Sequence, residues 1–172
     1  MRAEDVMTNR EFCIARRESE LPAFLRVLRA LPEDRLDYRP DPKSKNAAQL
    51  ASVLIEEEAA LAVMIETGRI DWQRHEPKTK VADIVVAYEK NHRAVTERLE
   101  KLGDADWNRP AAFIVPNMPP WEQPLSEFMW LFLFDAVHHR GQLSTYLRPM
   151  GGKVPSIYGP SADDPTMATA RA

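Results

Sequence analysis

Disulfides are excluded at the outset. The chain has a single cysteine, Cys13, so no intramolecular bridge can form, and a reduced, cytosolic setting is the expectation. A basic excess is missing too: 23 Lys and Arg stand against 26 Asp and Glu, a formal charge of −3, with both signs spread along the chain. Nucleic-acid binders need a basic footprint, so no such partner is expected. Long apolar runs are also lacking. Runs such as FMWLFLF at Phe128–Phe134 fall far below the roughly 20 residues that cross a bilayer. The opening stretch MRAEDVMTNRE carries no apolar segment of the secretory kind. The expectation is a cytoplasmic protein with no membrane partner.

What is present is a helical pattern. Hydrophobic residues make up 44% of the 172, enough for a core in one domain over 1–172. Gly and Pro punctuate the chain. LPEDRLDYRPDPKSK (Leu31–Lys45) reads as a connector, Gly68 and Gly103 as stops, and WNRPAAFIVPNMPPWEQP (Trp107–Pro124) as an irregular crossover with a short strand at Ala112–Val115. Residues 150–172 read as an irregular tail. Between these marks, apolar residues recur at three-four spacing in about Asn9–Ala30, Asn46–Thr67, Thr79–Leu102 and Leu125–Arg148. Strand signals are otherwise nearly absent. The pattern predicts an all-α, four-helix up-down bundle with a long crossover before the last helix. Pro22 is expected to kink or split the first helix.

At about 100° per residue, the inward faces can be drawn. The second helix collects Leu50, Val53, Leu54, Leu61 and Met64 around Glu57, with Glu56 and Glu58 turned away or to the edge. The third collects Val81, Ile84, Val85, Tyr88, Val95, Leu99 and Leu102 around His92. The fourth collects Phe128, Leu131, Phe132 and Leu143 with Asp135, His139, Gln142 and Tyr146, and His138 on the flank. Glu57, His92 and Asp135 are each near the middle of a helix, so an antiparallel bundle brings them to one depth. Buried polar groups must be paired, hydrogen-bonded or metal-bound. A plainer account exists for each: His92 as a satisfied core histidine, Glu57 paired with an arginine, His138 bonded to a backbone carbonyl, His75 in a polar loop without a role. Only Asp135 and His139, at i and i+4, have the spacing by which one helix offers two ligands to one metal. A second apolar face on the last helix, Met129, Trp130, Leu133 and Val137, predicts a homodimer interface or a packed crossover.

The block HHRGQ followed by YLRPMGGKVPSIYG, together with the connector LPEDRLDYRPDPKSKNAAQL, resembles the DinB/YfiT-like superfamily over most of the chain. The resemblance implies a bundle, often dimeric, with a divalent ion in its cleft, and in some members thiol-dependent transfer or isomerisation with a low-molecular-weight thiol. Family members use a histidine of the second helix and two histidines one turn apart in the last. Here those positions carry Val53, Asp135 and His139. Aspartate can ligate Ni, Zn, Fe or Mn; valine cannot, so Glu57 or His92 has to complete the set, with His138 or Gln142 positioning a small molecule or supporting the ligands.

Three functions compete. The first is a DinB-like metal-dependent enzyme, a transferase or hydrolase-like protein of unassigned reaction. The second is a non-catalytic small-molecule or partner-binding bundle without the metal, which Val53 favours. The third is a ferritin-like di-metal site, since Glu89–His92 reads ExxH and Asp135–His138 reads DxxH. That site needs two further glutamates, and Glu89 stands at the edge of its stripe.

Overall fold

The computed structural model describes residues 6–73 and 75–165; the first five residues and the last seven of the expected tail lie outside it. Four long helices carry the chain: α1 (Asn9–Arg29), α2 (Ala47–Thr67), α3 (Val81–Lys101) and α5 (Leu125–Leu147). A short α4 (Asp104–Trp107) and three strands, β1 (Arg69–Asp71), β2 (Pro110–Ile114) and β3 (Trp121–Pro124), fill the connections. Local chemistry sets the ends. Thr8 with Glu11, and Asn46 with Gln49, form reciprocal capping boxes at the starts of α1 and α2. Gly68 closes α2 in the left-handed region at φ 75°, which a glycine adopts without steric cost. Pro22 does not split α1, which is one helix throughout.

Side-chain partners fix the helix directions. Arg10 donates to the Leu99 carbonyl at 3.0 Å, so α1 and α3 are antiparallel. Asn91 donates to the Ile55 carbonyl and Arg98 to Glu66, so α2 and α3 run the same way. Trp130 donates to Asn9 and Arg140 to Glu20, so α5 runs with α1. The order is up-down-down-up, which corrects the expected up-down alternation. The lengthwise return of the chain is therefore the segment 68–80 between α2 and α3. The segment before α5 does not cross over; it folds into α4, β2 and β3 at one end of the bundle.

The small sheet is the other departure from expectation. Its order is β1-β2-β3, parallel between β1 and β2 and antiparallel between β2 and β3. The expected strand at Ala112–Val115 is β2, while β1 and β3 are three and four residues long, too short to show a period of two.

The core has two apolar clusters with a polar layer between them. One gathers Phe24, Leu28, Leu50, Leu54, Tyr88 and Leu143; the other gathers Cys13, Leu61, Val95, Leu99, Phe128 and Phe132. Each long helix crosses the gap with polar residues: Arg17 on α1, Glu57 and Glu58 on α2, His92 on α3, Asp135 and His139 on α5. Arg17 and Glu58, 1% and 3% exposed, meet at 2.5 Å. Burial pushes the Glu58 carboxyl up, and the Arg17 charge with His92 overrides this and holds it below the usual range.

Truncating one partner of such a pair strands a charge in the core. Arg17→Ala is expected to cost about 3–5 kcal/mol, read from the urea midpoint. Arg17→Met with Glu58→Met, which removes both charges, is expected to recover most of that loss; a double variant no more stable than Arg17→Ala would refute the assignment.

Candidate metal centre

Glu57 and Glu58 are consecutive residues of α2, both 3% exposed, and about 100° apart around the axis. They therefore meet different neighbours within the polar layer. Glu57 turns toward α5, where Asp135 and His139 lie one turn apart. His139 Nε2 is 3.5 Å from Asp135 Oδ2 and 3.8 Å from Glu57 Oε1. One ligand atom from each of the three residues lies within 4.8 Å of the others. His139 Nδ1 is 3.0 Å from Gln142 Oε1. With a proton on Nδ1 it donates to Gln142, so Nε2 is the nitrogen that faces the two carboxyl groups, as an N–H donor to Asp135 when the ring is charged and as a free lone pair when it is neutral.

The electrostatics of this trio are unbalanced. Burial, with Asp135 beside it, pushes the Glu57 carboxyl up to about 10. The hydrogen bond to His139 holds Asp135 down to about 2, and the Asp135 partner raises His139 above its ordinary value. Glu57 Oε2 is buried with no hydrogen-bond partner among the described residues. The Lys45 charge acts the other way and is weaker than the influences that raise it. A pair of carboxyl groups and an imidazole nitrogen, one oxygen unsatisfied, is a donor set that a divalent cation fits.

The trio opens onto a groove of about 810 Å³ between α2 and α5. His138 lines it, its ring 5.3 Å from that of His139. Val53 lines it one turn before Glu57. Gln142 acts through His139 and does not line the groove.

His92 is not brought to this site. Its Nε2 is 3.1 Å from Glu18 Oε1 and its Nδ1 is 3.6 Å from Glu58 Oε2, on the far side of α2. The reason is the helix phase: Glu58, expected at the edge, faces α1 and α3 and draws Arg17 and His92 to itself. Thr96 donates to Glu18 at 2.5 Å and completes that cluster. The plainer account of His92, a core histidine, fits this placement: Nε2 is partnered by Glu18, while the buried Nδ1 has no hydrogen-bond partner among the described residues and only the Glu58 carboxylate near it. The second apolar face of α5 is likewise spent inside the molecule: Met129 and Leu133 are buried, and Trp130 packs on the second cluster and donates to Asn9 on α1.

Arg17 and the stretch Trp72–Pro77 escaped the sequence reading. The phase of α1 around Arg17 gave no warning, because a mid-helix arginine ordinarily reads as solvated. Trp72, His75, Glu76 and Pro77 line the groove because the return segment 68–80 runs along α2. His75 is tied there, its backbone N–H donating to Glu56 at 3.0 Å. The signal lay in WQRHEP, an aromatic and a proline bracketing charged residues, which reads alone as an ordinary loop.

Among known proteins, the model of the DinB family matches residues 17–171. A DinB-like protein from Bacillus cereus ATCC 10987 superposes with a TM-score of 0.72 at 20% identity, covering 86% of this chain and 97% of that one. A DinB-like protein from Bacillus subtilis gives 0.64 at 18% identity, covering 81% and 92%. At these identities the likeness is one of fold. No curated protein matches the chain.

The Glu57 environment has a measurable consequence in chelator-treated protein. An unfolded chain releases this proton near 4.5, whereas the folded protein holds it up to about 10. The contribution to stability is therefore greatest below 4.5 and erodes as pH rises toward 10. Glu57→Gln removes the titration, so its melting temperature relative to wild type is expected to rise from pH 5 to pH 9 in EDTA. A difference that stays flat across that range contradicts a Glu57 carboxyl held protonated by burial and by Asp135.

Proposed function

The chain belongs to the DinB family, and on that premise we propose that Glu57, Asp135 and His139 hold one divalent ion, such as nickel, zinc, iron or manganese, at the floor of a groove that takes a small molecule. The observation that carries the reading is the buried Glu57 Oε2, which lacks a partner among the described residues while two further donors stand within 4.8 Å. When bound, such an ion supplies Lewis acidity and lowers the pKa of a water or thiol that shares it. The chain's own residues do the rest. Gln142 holds the His139 ring so that Nε2 faces the site. Asp135, half exposed, is the ligand nearest the solvent side, and His138 at the groove wall orients the small molecule. The reaction class that fits is a metal-dependent transfer or hydrolysis, with a low-molecular-weight thiol as the resemblance implies.

A second reading, a binding protein that does not turn over, is favoured by Val53, which sets an apolar wall where the family places a ligand. Its partner would then be held by hydrogen bonds and packing alone. An ion bound at one per chain favours the first reading; none favours the second.

A homodimer belongs to the same proposal on a revised surface. Phe12 and Phe134 are 47% and 65% exposed and flank Trp130, with ring centres at 5.7 and 6.0 Å. A second copy of the chain would cover that strip. Light scattering at micromolar concentration is expected to give a dimer for wild type and a monomer for Phe134→Glu; a monomeric wild type removes the claim.

The ion is tested by elemental analysis of untagged protein titrated with nickel or zinc. One equivalent is expected, lost in His139→Ala and kept in His75→Ala. Val53→His is expected to tighten binding by at least about tenfold, since even partners that only orient a ligand act on that scale. Equal occupancy in His139→Ala and His75→Ala would sink the assignment.

A further inference from the structure

We propose that the small molecule taken by the groove carries an aromatic ring on one side of its donor group, and that Trp72, Phe113, Trp121 and Phe132 form the seat for that ring. The proposal rests on the ion site proposed above for the position of the donor group. The groove has unlike ends. Because α2 and α5 are antiparallel, the levels along it can be read from both. Beyond the trio toward the start of α2 the lining is Lys45, Gln49 and Ser52; toward the start of α5 it is Leu131 and Phe132, met there by Trp72, Phe113 and Trp121 from the return segment and the sheet.

The aromatic end is built by the sheet register. Phe113 on β2 is paired with Trp121 on β3, and paired residues of neighbouring strands project from the same face. Trp72 follows β1 directly, its N–H donating to the Ile114 carbonyl at 2.8 Å. The rings then meet edge to face: Trp72 on Phe113 at 5.8 Å, Phe113 on Phe132 at 5.6 Å, and Trp121 on Phe128 at 5.5 Å. Edge-to-face rings favour a further ring over an aliphatic group of equal size. Trp121 remains 45% exposed and Trp72 half-buried, so apolar ring surface faces the groove uncovered. A donor group reaching Glu57, Asp135 and His139 would leave an attached ring at this wall, while the opposite end offers an ammonium, an amide and a hydroxyl.

Three hydroxamates test this, differing only in the group they carry: acetohydroxamate, cyclohexylacetohydroxamate and phenylacetohydroxamate, titrated calorimetrically into zinc-loaded protein. The phenyl compound is expected to bind at least about tenfold more tightly than acetohydroxamate and about threefold more tightly than the cyclohexyl compound. Trp72→Leu and Trp121→Leu are expected to remove the preference for phenyl over cyclohexyl while leaving acetohydroxamate affinity, zinc stoichiometry and helical circular dichroism unchanged. Equal affinity for all three compounds, or a preference untouched by both variants, overturns the seat. If zinc is not taken up in the absence of any hydroxamate, the ion reading has failed by itself. Phenylacetate against cyclohexylacetate on ion-free protein, followed by tryptophan fluorescence, then decides the seat: a phenyl preference lost in the Leu variants supports it, and no preference overturns it.

Discussion

Two adjacent buried carboxyl groups on one helix constrain this molecule more than any other feature. Taking a carboxylate out of water costs several kcal/mol unless a partner meets it, and Glu57 and Glu58 impose that cost twice, in directions about 100° apart. The rotation of α2 about its axis is thereby settled. Glu58 demands a cation from the α1 and α3 side, and Arg17 and His92 answer it. Glu57 demands a proton or a cation from the α5 side, and His139 and Asp135 stand there. A slip of one residue in α2 would bring both groups to the wrong neighbours. The apolar clusters above and below would tolerate many packings of similar volume; the polar layer tolerates few.

Much of this was legible in the sequence, and the limits have physical causes. The four long helices emerge because three-four spacing persists over more than five turns and ends at Gly or Pro. The meeting of Glu57 with Asp135 and His139 emerges because each interrupts an apolar stripe at mid-helix. The placing of His92 with them failed because depth along a bundle is readable from sequence while azimuth depends on which neighbour each helix meets. Up-down-down-up order put α2 between α3 and α5, so its two glutamates serve different helices. The same order hid the return segment, since loop residues lack a period from which a path can be inferred. The second apolar face of α5 reads as a dimer interface or a seat for the crossover because nothing in its own sequence reports that α1 covers it.

The last helix joins the candidate site to the tail. Next to His139, Arg140 turns away from the groove and is 2% exposed. Its guanidinium lies over the rings of Phe24 and Tyr158, at 4.6 and 4.9 Å, and donates to Glu20 at 2.5 Å. Tyr158 also donates to Glu20, and Arg26 holds the Ser156 carbonyl. Three segments distant in sequence are thus locked beside the residue that presents Nε2 to the groove. The rigidity a donor set needs comes from a neighbour that never touches it.

The return segment 68–80 is at once a tether and a wall. A chain that passes from α2 to α3 at the same end would need only a few residues; here the parallel pair forces the connection to travel the length of the bundle, anchored where Val81 N–H meets Glu33 at 2.9 Å. Surface loops ordinarily absorb insertions and substitutions with little effect on the core. In this architecture a surface connection also supplies part of the groove wall beside Glu57. New side chains at His75, Glu76 or Pro77 would therefore alter the ligand groove without touching the helix cap at Gly68 or the buried Ile70 of the same segment.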